Sequence, residues 1–264
     1  MRILIQFGIF LAISAMIYSE EGASANEAMM DRENDSKPLA FMSAREMFSD
    51  RDALALAEAG AKGNLDRIDE LVGKGVDVNH QGNRGVTPLF WAMQNSAGFR
   101  RLLEYGADPN IVFEDGASVM HWAARAEDVD ILRLALEFGG DPNVLGGQDG
   151  ITPIFRALTN REALRVLLDA GADIDAQKRG WEMGGRNVGG GVTPVMAAAN
   201  LAQFDVVYFF LESGADYSIE DERGDTLSNL VANYCGAFKA GSESEKWHRK
   251  VVEWLRERGV EVSR

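Results

Sequence analysis

Apolar residues recur along this chain in short helical stretches that each end at a glycine. In one of them, Leu164, Leu167 and Leu168 follow the three-to-four-residue spacing of a helix with one buried face. Similar stretches end at Gly106, Gly139, Gly171 and Gly214. Because glycine readily takes the left-handed conformation that closes a helix, the pattern predicts a helix end at each of these positions.

A four-residue phrase follows these glycines, and its first four copies are spaced 31 to 33 residues apart. The copies are Val76–Asn79, Ala107–Asn110, Gly140–Asn143 and Ala172–Asp175, with weaker ones at Ala215–Ser218 and Val260–Ser263. A fixed period of this length is typical of stacked units of two helices.

A second phrase lies in register with the first and marks where each unit begins. Its copies are Thr87–Phe90, Ser118–His121, Thr152–Phe155 and Thr193–Met196. Threonine before a helix is predicted to accept a hydrogen bond from a helix amide. Proline at the first helical position removes no hydrogen bond, because the N–H at that position has no partner within the helix. Each unit therefore reads as a turn, a first helix, a second helix and a loop.

These phrases resemble the threonine-proline-leucine-histidine and glycine-alanine-aspartate patterns of ankyrin repeats. The resemblance covers about Ala53 to Val262 and implies an all-α ankyrin-repeat solenoid of about six helix-turn-helix repeats with finger loops. Repeats two and four lack two residues at Asn95–Ser96 and Asn160–Arg161, which predicts tighter connections between their helices. The expected repeats span approximately residues 51–84, 85–115, 116–149, 150–180, 191–223 and 224–264.

The repeat domain is expected to span residues 42–264, after two segments of different composition. Residues 1–25 read as a signal peptide, because Arg2 precedes an apolar run that ends in the small residues Ala23–Ala25. That run is shorter than the roughly 20 residues that span a bilayer. Residues 26–41 are polar and are predicted to form a flexible leader. We therefore expect export to the periplasm, cleavage near Ala25 and no direct membrane anchoring.

Two insertions break the repeat period. Residues 178–191 are rich in glycine and are predicted to be a mobile extension of a finger loop. Residues 236–245 lie within the last helix pair and are interpreted as a terminal elaboration.

The charge of the chain restricts its partners. The formal net charge is −14 at pH 7. Such a polyanion repels phosphate backbones and anionic headgroups, so nucleic acid is not an expected partner. The expected partner is a basic protein. We expect a monomer until that partner binds.

Residues that could carry chemistry are few. Cys235 is the only cysteine, so no internal disulfide forms, and it is interpreted as a buried small hydrophobe. His121 stands where the ankyrin motif has its histidine, and it is predicted to tie a loop by hydrogen bonds. His80 and His248 lie far apart along the chain, so no metal or other cofactor is predicted. An enzyme that uses His121 or Cys235 stays open as an alternative of a different class.

The resemblance also implies where a partner binds, namely on the finger turns and on the exposed face of the first helices. Phe113 and Trp181 are the candidate aromatic hot spots, while core packing and surface exposure stay equally open for Trp91 and Trp122. The candidate partner-binding residues are Asn83, Arg84, Gln94, Phe113, Glu114, Asp115, Arg125, Gln148, Asp149, Lys178, Arg179, Trp181, Arg186, Glu222 and Arg223.

A narrower resemblance suggests a specific role. The signal, the opening Ala44–Asp50, the phrase Gly85–Ala92 and the ending Lys250–Leu255 are similar to those of exported ankyrin proteins of Gram-negative bacteria. Some of these are immunity proteins that protect the periplasm from type VI secretion lipase or phospholipase effectors. The resemblance therefore implies a basic secreted lipase or phospholipase as the partner. A periplasmic stress-protection protein, similar to ankyrin proteins found beside catalases, is the alternative.

Overall fold

The computed structural model describes residues 38–147, 149–183 and 186–262. The predicted signal peptide lies outside these ranges, as does most of the predicted leader. The end of the leader is structured, because Leu39–Phe41 forms a 3-10 turn in which Leu39 is buried. The prediction of a flexible leader through residue 41 was wrong there, since Leu39 supplies an apolar side chain to the core.

The described chain forms two compact units, one ending at Arg101 and the other beginning at Leu102. The helices, in chain order, are α1 (Ala44–Met47), α2 (Arg51–Lys62), α3 (Leu65–Gly73), α4 (Pro88–Ala92), α5 (Ser96–Glu104), α6 (Val119–Arg125), α7 (Asp130–Glu137), α8 (Pro153–Arg156), α9 (Arg161–Asp169), α10 (Pro194–Asn200), α11 (Phe204–Glu212), α12 (Leu227–Ala232) and α13 (Glu243–Glu257). A 3-10 turn at Asn83–Gly85 precedes α4. The all-α repeat fold is confirmed, with one hairpin described below as an addition.

The N-terminal unit places its apolar face as the sequence predicts. Phe48, Leu56, Ile68 and Leu71 are all buried. The N-cap of α2 is Asp50, whose carboxylate accepts hydrogen bonds from the main-chain N–H groups of residues 52 and 53. α2 packs against α3 and α4, which closes the core of this unit.

In the C-terminal unit, each first helix packs against the first helix of the next pair. α6 packs against α8, α8 against α10 and α10 against α12. Second helices α7, α9, α11 and α13 pack against their own first helices and bury leucine, valine and phenylalanine side chains. The cap glycines Gly106, Gly139, Gly171 and Gly214 all have positive φ, as the sequence predicts. No helix in the described ranges is both long enough and apolar enough to cross a membrane.

The two shortened repeats differ from the expectation in where the shortening falls. α4 and α8 have 5 and 4 residues, whereas α6 and α10 have 7 each. The first helix is therefore shortened, and the connection to the second helix is not tighter. In α9, the side chain of Asn160 caps the helix by accepting from the N–H groups of Glu162 and Ala163.

Candidate functional site

In the described part of the chain, five finger loops connect successive helix pairs, and one main-chain hydrogen bond closes the base of each. The bonds run from Gly82 N to Val86 O, Phe113 N to Ala117 O, Gly146 N to Ile151 O, Lys178 N to Val192 O and Asp221 N to Asp225 O, at 2.7–3.1 Å. We number these loops fingers 1 to 5. Finger 4 is the long one, because residues 179–191 stand where finger 3 has residues 147–150 only.

Within the C-terminal unit, each finger is also bonded to the next. The N–H of Gly147 donates to Gly116 O at 2.6 Å, Arg179 N–H to Asp149 O at 2.6 Å and Glu222 N–H to Gly190 O at 3.1 Å. The approach of fingers 2 and 3 is so close that a Cβ on Gly116 would lie 2.1 Å from the Cα of Gly147. Fingers 2 to 5 therefore form one connected row along the edge of the repeats.

The insertion in finger 4 contains an antiparallel hairpin, which the sequence did not predict. Strand β1 (Trp181–Met183) pairs with strand β2 (Arg186–Val188), and Trp181 lies opposite Val188. The connection between the strands, Gly184–Gly185, lies outside the described residues. Short glycine-containing connections are common in hairpins, and this was the signal in the sequence that the prediction of a mobile loop overlooked.

The base of the hairpin is held by side chains as well as by main-chain bonds. Gln177 donates its side-chain N–H to Gly191 O at 2.9 Å. Lys178 is half-buried, and this burial lowers its pKa, while the charge of Asp149 acts in the opposite direction. Both ends of the insertion are therefore held by hydrogen bonds.

Finger 5 presents an arginine that its own aspartate holds in place. Asp221 is buried and accepts from the N–H groups of Arg223 and Asp225, and the Arg223 guanidinium donates to its second oxygen at 3.0 Å. Burial raises the pKa of Asp221, but these hydrogen bonds and the Arg223 charge outweigh it and lower the pKa. Asp221 therefore stays ionised and orients Arg223.

The structure places most predicted contact residues on this row or on the first helices. Asn83, Glu114, Asp115, Arg179, Glu222 and Arg223 are exposed on fingers, Arg84, Asp149 and Lys178 are half-buried on fingers, Gln94 is exposed after α4, and Arg125 is half-buried at the end of α6. Trp181 and Arg186 lie on the two strands of the hairpin. Gln148 lies outside the described residues.

Phe113 was wrongly predicted to be a contact residue, because only 3% of it is exposed. Its main chain closes finger 2 by bonds to Ala117 and Gly116, and its side chain turns into the core. An apolar side chain beside a glycine-containing turn is buried more favourably than exposed. Trp91 and Trp122, for which the sequence left both environments open, are half-buried.

Sequence reasoning missed Arg156, an exposed residue on the last turn of α8. It lies in the repeat at the position that Trp122 occupies in the preceding unit, four residues after the cap. Aligning the first helices column by column would have placed Arg156 in the column of Trp122, three residues before the column of the predicted contact residue Arg125.

Of the two residues that the enzyme alternative would use, His121 has structural partners. The main-chain N–H of Ser118 donates to Nδ1 of His121, so Nε2 carries the proton and donates to Ile151 O at 3.0 Å. The predicted structural role of His121 is confirmed. Cys235 is half-exposed rather than buried, because it lies in the turn after α12. In the described ranges, no three histidine, cysteine or acidic side chains are placed to hold a metal ion.

Comparison with known proteins agrees with this architecture. The family model for ankyrin repeats, in three copies, matches residues 96–178. Protein PhlB of Serratia liquefaciens is 38% identical over 136 residues, covering 50% of this chain and 60% of that protein. Palmitoyltransferase AKR1 of Lachancea kluyveri is 28% identical over 167 residues, and human SH3 and multiple ankyrin repeat domains protein 1 is 31% identical over 128 residues.

The matched region is a part of each of these relatives. The chain spans 21% of the palmitoyltransferase and 6% of the human protein, so the resemblance concerns their repeats. Ankyrin repeats bind other proteins and typically serve as scaffolds without catalytic activity. The family match identifies residues 96–178 as ankyrin repeats, and the helix pairs before and after them follow the same order.

Proposed function

We propose that this protein works in the periplasm as an immunity protein, which binds and neutralises a type VI secretion lipase or phospholipase effector. It acts by covering a surface of the effector and has no catalytic activity of its own. The periplasmic location rests on the signal-like residues 1–25.

The connected row of fingers 2 to 5 is the observation that carries this proposal. Finger 4 is extended by a hairpin, and hydrogen bonds at 2.6 and 3.1 Å tie its base to fingers 3 and 5. A loop on a fixed base loses little conformational freedom when it binds, which favours a tight complex. The hairpin is therefore the element that we expect to enter or cover the mouth of the effector's active site.

The charge of the surface suits a basic effector. Glu114, Asp115 and Glu222 are exposed on the fingers of a chain whose net charge is −14. Opposite charges on the two proteins accelerate their association, and this acceleration falls as salt is added.

The direct test uses the chain from Asn26 and any lipase or phospholipase that is encoded beside its gene. We expect a one-to-one complex by calorimetry and loss of lipase activity at stoichiometric amounts. In a variant that tests the hairpin, the four residues Gly147–Gly150 of finger 3 replace residues 179–191. It should keep the helical circular dichroism spectrum and lose inhibition, whereas Lys239→Ala, at an exposed position after α12, should inhibit normally.

Two results would contradict the proposal. One is a purified chain that neither binds nor inhibits the lipase. The other is a deletion strain that is sensitive to peroxide but not to the effector, which would favour the stress-protection alternative.

A further inference from the structure

Two arginines stand next to each other on the first-helix face of the C-terminal unit. Arg125 ends α6 and Arg156 ends α8, and these two helices pack against each other. Arg125 is half-buried and Arg156 is exposed. Neither belongs to a finger loop, so they form a surface separate from the finger row.

The two guanidinium groups repel each other. Burial lowers the pKa of Arg125, and the charge of Arg156 lowers it further. The Arg156 charge also acts on His121 one turn earlier in α6. Two like charges close together raise the free energy of the unbound protein, and an anion placed between them would remove that penalty.

Within the part of the chain that the structure describes, neither Arg125 nor Arg156 has a hydrogen-bond or ion-pair partner. Two other arginines of this unit do have one. Arg133 pairs with Glu162 at 3.0 Å, and Arg161 pairs with Asp205 at 3.2 Å.

Trp122 completes the surface. It is half-buried on α6, at the repeat position that Arg156 occupies on α8, so the indole and the guanidinium stand in register on adjacent helices. Tryptophan and arginine are the residues most often found at the energetic centre of protein interfaces. Arginine also matches a carboxylate in geometry, because it donates two parallel hydrogen bonds.

We propose that Arg125 and Arg156 bind one carboxylate side chain of the partner protein, with Trp122 packing against the aliphatic part of that side chain. The inference rests on the proposed protein-binding function and adds a requirement to it. A partner that is basic overall must present an aspartate or glutamate at this point of the interface.

The free protein provides the first test. Arg156→Gln removes the repulsion, so the melting temperature of the chain from Asn26 should rise by about 1–2 °C at low salt, and the rise should shrink in 0.5 M salt. Arg165→Gln, an exposed arginine on α9, makes the same charge change on a second helix and should not raise it. A lower melting temperature for Arg156→Gln would show that Arg156 stabilises the fold and would overturn the proposal.

The second test measures binding with a fluorescein-labelled hexaglutamate peptide. An acidic peptide is repelled by most of this surface, so anisotropy should report binding only through a local basic site. We expect at least a tenfold loss of affinity in the Arg125→Ala/Arg156→Ala double variant and none in Arg165→Gln. Equal binding by all three proteins, no binding by the unaltered protein, or displacement by inorganic phosphate but not by acetate would each overturn the carboxylate assignment.

The complex with the effector separates this inference from the proposed function. Arg156→Glu should weaken the complex at least tenfold, and lysine in place of the facing carboxylate of the effector should restore it. If the unaltered protein forms no complex, the proposed function fails while the peptide measurement still decides the inference. A complex that Arg156→Glu leaves unchanged would refute the inference alone.

Discussion

Two neighbouring junctions between helix pairs differ in how completely they are hydrogen-bonded. The first junction joins the pair α6/α7 to α8/α9, and the second joins α8/α9 to α10/α11. In the first, His121 donates to Ile151 O, and Asn143 accepts from Asp173 N–H at 2.8 Å and donates to Gly171 O at 3.0 Å. Asn110 makes the same pair of bonds one repeat earlier.

The second junction lacks the corresponding donors. Phe155 stands in the place of His121, and among the described residues the buried hydroxyl of Thr152 has no hydrogen-bond partner. Asp175 stands in the place of Asn143, accepts from Asp216 N–H at 2.9 Å and has no amide with which to donate to the next cap. α8 also packs more extensively against α6 than against α10.

The junction that lacks the histidine and asparagine donors is the one that carries the hairpin insertion. Elements that bind partners are commonly drawn from the less stable parts of a fold, and binding residues are often kept at some expense of stability. The comparison therefore supports finger 4 as the place where this chain has departed from a purely structural repeat.

The largest expected effect comes from breaking the first junction with His121→Phe. The change gives this junction the residue found in the second and leaves the buried Ser118 groups without their acceptor. We expect the free energy of unfolding to fall by about 2–3 kcal/mol. Urea unfolding followed by circular dichroism at pH 8 measures it, and equal midpoints for the two proteins would contradict it.

The pH dependence of the same variant provides a control. Burial lowers the pKa of His121 in the folded protein, and the Arg156 charge lowers it further. The stability that the neutral ring contributes is complete above the unfolded pKa of about 6.5 and is lost as the pH falls below it. The difference in the free energy of unfolding between the unaltered protein and His121→Phe should therefore become smaller as the pH falls from 6.5 to 5.

The regular repeats were predictable from the sequence because each depends on local chemistry. Glycine determines where helices end, at residues 106, 139 and 171, and proline at the first helical position determines where α4 and α8 begin. Neither effect needs a long-range contact. The capping threonines were only partly predicted correctly. Thr193 accepts from Met196 N–H at 3.5 Å, but the side chains of Thr87 and Thr152 make no capping hydrogen bond.

The candidate site was less predictable because it depends on contacts between repeats. Nothing in the sequence near Phe113 distinguishes a buried aromatic from an exposed one. The bonds that connect the fingers join residues about 30 positions apart, and the proximity of Arg125 and Arg156 arises from packing between α6 and α8. Such pairs require the register of one repeat on the next, which a single-repeat pattern does not contain.

A second way to break the first junction is Asn143→Asp. The substitution keeps the acceptor for Asp173 N–H and replaces the donor to Gly171 O with a charged oxygen. We expect a loss of about 1–2 kcal/mol, since one hydrogen bond is exchanged for a repulsive contact. Thermal unfolding at pH 7 measures the loss, and Asn110→Asp should reproduce it. No change in either variant would show that the asparagine ladder contributes nothing.

The reverse substitution, Asp175→Asn, should strengthen the second junction by about 1 kcal/mol at pH 7. Burial raises the pKa of Asp175, and the charges of Asp216 and Asp173 act in the same direction. A carboxylate whose folded pKa is raised costs stability above that pKa and regains it as the pH falls toward its unfolded value of about 3.8. The gain in the free energy of unfolding that Asp175→Asn provides should therefore become smaller below the folded pKa of Asp175. A gain from Asp175→Asn that increases as the pH falls would contradict this explanation.

The smallest expected effect is that of Phe155→His, which restores the histidine of the first junction to the second. The ring would offer an acceptor to the Thr152 hydroxyl and a donor to the main chain near Val192, which matches the position of Ile151. Against this, a half-buried phenylalanine loses part of its apolar contact, so the net gain should be only about 0.5 kcal/mol. Hydrogen exchange gives the more specific readout, because amides of α10 should exchange more slowly only if the new bonds form across the junction. Faster exchange in α10 would mean that the packing of Phe155, rather than a hydrogen bond, holds these two repeats together.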